Sequence, residues 1–178
     1  TAPDLCTGAD SADITNTQEV SDAISRVEPS AIINCAAYTA VDAAENEPER
    51  AFAVNRDGAR LVAEAAREAD VRCLHVSTDF VFDGTKAAPY LPGDPVSPLG
   101  VYGTSKAAGE SEVSSANPDA LILRTSWVYS VYRSNFVKTM LRLMQRKTPL
   151  KVVDDQTGAP TWTGSLAGVL LAAAQRPE

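Results

Sequence analysis

Histidine occurs once in the 178 residues, at His75, and cysteine three times, at Cys6, Cys35 and Cys73, with no CxxC pair among them. That scarcity leaves no zinc-site spacing and no disulfide framework. Cys35 and Cys73 fall in apolar, strand-like runs, where a thiol acts as a small hydrophobe, and a reducing cytoplasm is the expected setting. Asp154 and Asp155 are adjacent but have no histidine or cysteine near them, a poor ligand set, so no metal is expected. Apolar runs such as 31–37 and 121–123 are far shorter than the ~20 residues that cross a bilayer, and 1–10 has neither a basic start nor an apolar core, so neither span nor signal peptide is expected. Positive charge is also short: the formal net charge is -7. A chain whose task is to hold a nucleic-acid backbone needs a basic face, so nucleic acid is not an expected partner.

A hydrophobic content of 44% is enough to bury a core at this length, and the chain suits one domain. Short apolar runs alternate with longer helical stretches, the pattern of βαβ units and an α/β parallel sheet. Strands are expected at 31–37 (AIINCAA), buried on both faces, at 72–77, at 120–125 and at 150–153. Helices are expected over 49–69, with Pro48 in the first turn and Phe52, Leu61 and Ala65 toward the sheet, over 102–115 and over 135–146. Between them, 79–100 is irregular, with Pro89, Pro92, Pro95 and Pro98. Its place between a strand and a helix makes it a loop over a site in preference to a polyproline ligand. No internal repeat and no linker stand out. The stretch 133–151 carries Arg133, Lys138, Arg142, Arg146, Lys147 and Lys151 and no acid among its basic residues, and it reads mainly as a solvated face.

Ligands of such sheets bind beyond the carboxyl ends of the strands. The residues there are Tyr38 and Thr39, Thr78 and Asp79, and Ser126 and Trp127. The sharpest local signal is Tyr102-Gly103-Thr104-Ser105-Lys106, which puts a phenol and an ammonium on one face of a helix start. Phenols are poor proton carriers near neutrality because their pKa is ~10. A cation nearby favours the phenolate, so Lys106 is expected to lower the value of Tyr102. Thr78, at the end of the preceding strand, offers a hydroxyl to the same substrate oxygen. His75 lies inside that strand and reads as a structural histidine.

Several segments together resemble one family: INCAAYTAVD (33–42), AVN (53–55), HVSTDFVFDG (75–84), VYGTSKAAGE (101–110), LRTSWVY (123–129) and the stretch from NFVKTM to VVDDQTGAPT (135–161). In order and spacing the chain is similar to the extended short-chain dehydrogenase/reductases, in particular to those that reduce nucleotide-linked keto-sugars. The resemblance implies a doubly wound parallel sheet of Rossmann type, NADPH or NADH as cofactor, a sugar-nucleotide substrate, a cytoplasmic location and an enzyme that can form a homodimer. It makes Tyr102 the proton donor to the keto oxygen, Lys106 its partner and a ribose ligand, and Thr78 the hydroxyl that bonds the reacting oxygen. Cofactor contacts would come from Asp13, Ile14, Ala36, Ala37, Tyr38, Asn55, Ser77, Tyr102 and Lys106. Sugar contacts would come from Asp79, Phe80 and Trp127.

The family's opening strand and Gly-rich pyrophosphate turn are not found, Gly8 in 7–10 being a lone glycine, and the resemblance places both ahead of this sequence. It also places a further substrate-binding part after it, beginning within this chain at about residue 127. Related dehydratases carry an acid after the Thr-Asp pair, where this chain has Phe80, and an aromatic ring cannot transfer that proton. The rival readings are therefore another sugar-nucleotide epimerase or dehydratase, or a cofactor-binding regulatory subunit of the same fold.

Overall fold

The computed structural model describes residues 11–146 and 149–175. Cys6, Gly8 and Lys147 lie outside them. The elements in chain order are α1 (Thr17–Val27), β1 (Ala31–Asn34), α2 (Val41–Ala44), α3 (Pro48–Phe52), a π-helical turn (Ala53–Gly58), α4 (Ala59–Glu68), β2 (Arg72–Thr78), a 3-10 turn (Asp79–Val81), α5 (Val101–Ala116), β3 (Leu121–Thr125), β4 (Val128–Tyr129), α6 (Phe136–Met144), β5 (Thr161–Trp162) and α7 (Thr163–Ala174). The described residues fall into two compact units, 11–124 and 125–175. No Gly/Pro-rich linker marks the boundary, because it falls at the end of β3.

In the first unit the sheet order is β1-β2-β3. β1 runs parallel to β2, with Ala31 opposite Arg72 and Asn34 opposite His75. α4 and α5 cover the sheet with small side chains: Ala59, Ala63 and Ala66 meet Cys73 and Val113, flanked by Ile32 and Ile122. Burying a valine such as Val113 contributes roughly 1.5 to 3 kcal/mol, and alanines let the helices come close. The closest approach is at Gly109 of α5, where an added Cβ would stand 2.0 Å from the Asn55 carbonyl oxygen.

Four sequence expectations change. β1 stops at Asn34 instead of Ala37. The Asn34 side chain turns forward to accept the Ala36 amide hydrogen at 3.1 Å, which takes the chain out of the sheet ladder. Cys35, just past the strand, is consequently exposed, whereas Cys73 is buried. The single helix expected over 49–69 contains a π turn. Its buried face is Ala59, Val62, Ala63 and Ala66, with Leu61 and Ala65 only half-buried, a phase displaced by about one residue from the one expected. No strand forms over 150–153, whose side chains lie in the exposed segment before β5.

In the second unit, β4 and β5 pair in parallel, Val128 opposite Thr161. Asn135 caps α6 by accepting the Lys138 amide hydrogen at 3.1 Å. Lys138, Arg142 and Arg146 are exposed, in keeping with a solvated face. α7 carries no charged residue in TGSLAGVLLAAA, and its lack of a polar face leaves no amphipathic period by which to foresee it. Among the described residues no helix is long and apolar enough to cross a membrane.

Candidate active site

The site grows from the end of β2 and the start of α5. His75, Ser77 and Thr78 are all buried, as is Lys106. At Thr78 the chain leaves the sheet for a 3-10 turn, and the Thr78 hydroxyl caps it by accepting the Phe80 amide hydrogen at 3.2 Å. The same Oγ1 donates to Asp79 Oδ1 at 3.2 Å. α5 begins opposite this turn, and Gly103 allows the contact: an added Cβ would stand 2.3 Å from the Phe80 carbonyl oxygen and 3.0 Å from Pro98 Cβ. Glycine inside the Tyr-Gly-Thr-Ser-Lys motif is therefore a packing requirement of the site, a role its spacing alone did not reveal.

Thr78 and Tyr102 come together, and the neighbouring threonine side chain favours the phenolate. Burial nonetheless pushes the Tyr102 hydroxyl above its ordinary value, and the neighbouring Asp79 carboxylate adds to the rise. This reverses the expectation that Lys106 would lower it. The lysine is aimed elsewhere: its Nζ donates to the Val76 carbonyl at 2.8 Å and stands 3.4 Å from His75 Nε2. Burial brings Lys106 down to about 8, against the opposing pull of Glu110 and Cys35. Burial also raises Asp79, offset by hydrogen bonds from the Thr78 side chain and the 3-10 turn backbone.

Asn55 sits on the π turn with its amide fully engaged. Its Oδ1 accepts the Tyr38 amide hydrogen at 2.8 Å, and its Nδ2 donates to the Tyr38 carbonyl at 3.1 Å and to Ser105 Oγ at 2.9 Å. It thus ties the loop after β1 to the helix carrying Tyr102. Ala36 and Ala37 lie on that loop, the first exposed and the second half-buried. Asp13 closes an Asx turn before α1, accepting from Thr15 N at 2.9 Å and Thr15 Oγ1 at 2.8 Å. Ile14 packs on Gly58, at the end of the π turn, where an added Cβ would meet Ile14 Cγ1 at 2.8 Å. Ser77 Oγ is buried with no hydrogen-bond partner. Trp127 belongs to the second unit, with φ of 46° and its indole against Gly158.

A second network steadies the loop that leads from the 3-10 turn to α5. Arg124 of β3 forms a fork with Glu110 of α5, with NH2 to Oε2 at 2.6 Å and Nε to Oε1 at 2.9 Å. Its guanidinium lies 4.9 Å from the Phe82 ring centroid, and Phe82 stacks on Tyr90 at 4.1 Å. NH1 reaches the Pro92 carbonyl at 3.2 Å. Nothing in the spacing of these residues announced the cluster.

Residues 4–178 match the RmlD substrate binding domain. The chain belongs to that family. A dTDP-4-dehydrorhamnose reductase of Sinorhizobium fredii is 49% identical over 97% of this chain and 58% of the relative. The enzyme of that name from Escherichia coli is 44% identical over 87% of this chain and 52% of the relative. Among solved structures, the Bacillus anthracis dTDP-4-dehydrorhamnose reductase in complex with NADP superposes with a TM-score of 0.89 at 40% identity, over 92% of this chain and 58% of that one. The chain thus spans little more than half the length of these relatives. The Rossmann-like arrangement of parallel strands and helices in this chain matches that of solved dTDP-4-dehydrorhamnose reductases. UDP-glucose 4-epimerase of Brucella ovis, at 20% identity and a TM-score of 0.60, shares only the fold.

Proposed function

We propose that the protein carrying this chain reduces the 4-keto group of dTDP-4-dehydrorhamnose to the alcohol of dTDP-rhamnose, using NADPH or NADH, for the synthesis of cell-surface polysaccharide precursors. The observation that carries this reading is the nearness of Thr78, at the end of β2, to Tyr102, with Lys106 buried one helical turn further on. It stands in a chain that is 49% identical to a reductase of that substrate.

The residues present fit a nicotinamide dinucleotide. Ser77 Oγ is a buried hydroxyl without a protein partner, which suits it to a polar group brought in from outside. Ala36 and Ala37 present small side chains on the loop after β1, where a flat group can approach the backbone. Asp13 and Ile14 would contact the adenine end, Tyr38 and Asn55 would shape the middle, and Lys106 would bond the ribose. The reduced nicotinamide supplies the hydride that goes to the ketone carbon.

This chain's own work is at the oxygen. As negative charge grows there, the hydroxyls of Thr78 and Tyr102 would donate to it, the threonine turning from Asp79, and such donors are worth more in the transition state than before it. Tyr102 then gives its phenolic proton to complete the alcohol. Its raised proton affinity keeps the phenol protonated until the oxygen demands the proton. Asp79 and Phe80, at the mouth of the same turn, and Trp127, at the start of a sugar-binding region running from about residue 127, would contact the sugar. Phe80 in place of an acid leaves no group there for eliminating water, which favours a reductase over a dehydratase.

The test is consumption of NADPH by the complete protein supplied with dTDP-4-dehydrorhamnose. Turnover lost in Tyr102→Phe supports the reading. Cofactor binding without turnover on any 4-keto-sugar nucleotide would replace it with a regulatory subunit.

A further inference from the structure

His75, the only histidine, is 1% exposed at the centre of β2, with both ring nitrogens facing side chains. On one side, Asn34 Oδ1 accepts from the Ala36 amide, which orients the Asn34 amide with Nδ2 toward His75 Nδ1 at 3.2 Å. An amide nitrogen only donates, so Nδ1 must accept, and a neutral ring then carries its proton on Nε2. This tautomer is assigned from the hydrogen-bond network. On the other side, Nε2 faces Lys106 Nζ at 3.4 Å. An ammonium has three donors and no acceptor, so a ring N–H turned toward it opposes it, whereas the neutral amine has a lone pair to receive that hydrogen.

The network cannot satisfy every donor while Lys106 is charged. Moving the ring proton to Nδ1 would free Nε2 to accept from the ammonium, but would set Nδ1–H against the Asn34 NH2. Turning the amide over to relieve that contact would set the same NH2 against the Ala36 N–H. Other groups facing Lys106 pull the opposite way: Cys35 after β1, and Glu110 on α5, whose carboxylate is already engaged by Arg124 of β3. The Val76 carbonyl accepts from Nζ in either state.

We propose that His75, held by Asn34 as its Nε2–H tautomer, is a positioning residue that turns its ring proton toward Lys106 and opposes the ammonium form of that lysine. Burial acts in the same direction on both groups, bringing the imidazole down to about 3 and the lysine to about 8. The catalytic consequence rests on the reductase reading: the pH at which Lys106 loses its charge becomes the alkaline limit of turnover. The tautomer itself does not depend on that reading.

Two measurements test it. Because there is one histidine, a long-range proton–nitrogen NMR spectrum of the chain shows a single imidazole. The expected pattern is a neutral ring protonated on Nε2 from about pH 5 to about pH 9, and an Nδ1–H pattern or a ring charged at about pH 6 would overturn the proposal. In the complete enzyme, His75→Gln offers Lys106 an amide oxygen and should move the alkaline limb of the turnover profile upward by about 1 unit. Asn34→Ala, which frees the tautomer, should move it the same way. An unmoved limb in both, with only turnover or stability reduced, would mean a purely structural histidine. Absence of turnover in the unsubstituted enzyme would remove the reductase reading, and the NMR pattern would still decide the tautomer.

Discussion

The Phe80 ring meets the Tyr102 ring edge to face, with centroids 5.5 Å apart and planes at 76°. Phe80 is itself 45% exposed, so it shields the phenol more than it fills a core. Phe80→Ala should therefore cost only about 0.5 to 1.5 kcal/mol in unfolding free energy, read from a denaturant midpoint. A loss of several times that size would place the ring in the core.

Tyr102→Phe keeps the aromatic pair and removes only the hydroxyl beside Thr78. The expected result is an unchanged midpoint with turnover of the complete protein reduced ~100 to 10,000-fold, the range for loss of a general acid. Full turnover would take the proton-donor role away from Tyr102.

Gly103→Ala forces a methyl onto the Phe80 carbonyl and Pro98, neither of which is a flexible side-chain end. Backbone must shift, at about 1 to 3 kcal/mol, and the placement of Tyr102 beside Thr78 shifts with it. Thermal unfolding and turnover should fall together, whereas an unaltered melting temperature would mean that the contact relaxes freely.

Arg124→Met strands a carboxylate that is only 9% exposed and releases the loop held through Phe82 and Pro92. Breaking such a pair on one side costs about 3 to 5 kcal/mol. Faster amide hydrogen exchange over 82–98 should accompany the loss, and protection equal to that of the unsubstituted chain would show that the loop is held by other contacts.

His75 is neutral in the fold down to about 3, against 6.5 as the ordinary value. Between those values the unfolded chain binds a proton that the folded chain refuses, so folding free energy is lost as pH falls below 6.5. His75→Gln removes that titration, and its stability should decline less than that of the unsubstituted chain from about pH 6.5 to about pH 5. Parallel declines would mean that the imidazole is freely solvated.

Most of the architecture was readable because periodicity reports burial directly: β2, α5 and β3 lie within a residue or so of where their apolar patterns put them. The ends were not. β1 terminates through a side-chain hydrogen bond from Asn34, and an apolar run gives no notice of such a bond. Cys35 was drawn inside by the same run and lies outside. At the site, motif spacing brought Thr78, Tyr102 and Lys106 to one place, but the direction in which Lys106 points depends on the Val76 carbonyl and His75, partners some thirty positions away in the chain. The Arg124, Glu110, Phe82 cluster was invisible for the same reason, being assembled from three separate segments.

The extra residue accommodated at Ala53–Gly58 has a consequence for how this stretch can change over time. Removing one residue there would restore an ordinary α-helix and leave the helix downstream in phase, because the widened turn has absorbed that one residue; removing one within α4 would instead turn everything beyond it by about 100° about the helix axis. After removal within the turn, Ala59, Val62, Ala63 and Ala66 would keep facing the sheet, whereas Asn55, which the widened turn carries, would lose either Tyr38 or Ser105. The wide turn thus serves the reach of Asn55 and not the packing of α4, so a change of length there would disturb the link between the loop after β1 and α5 before it disturbed the core.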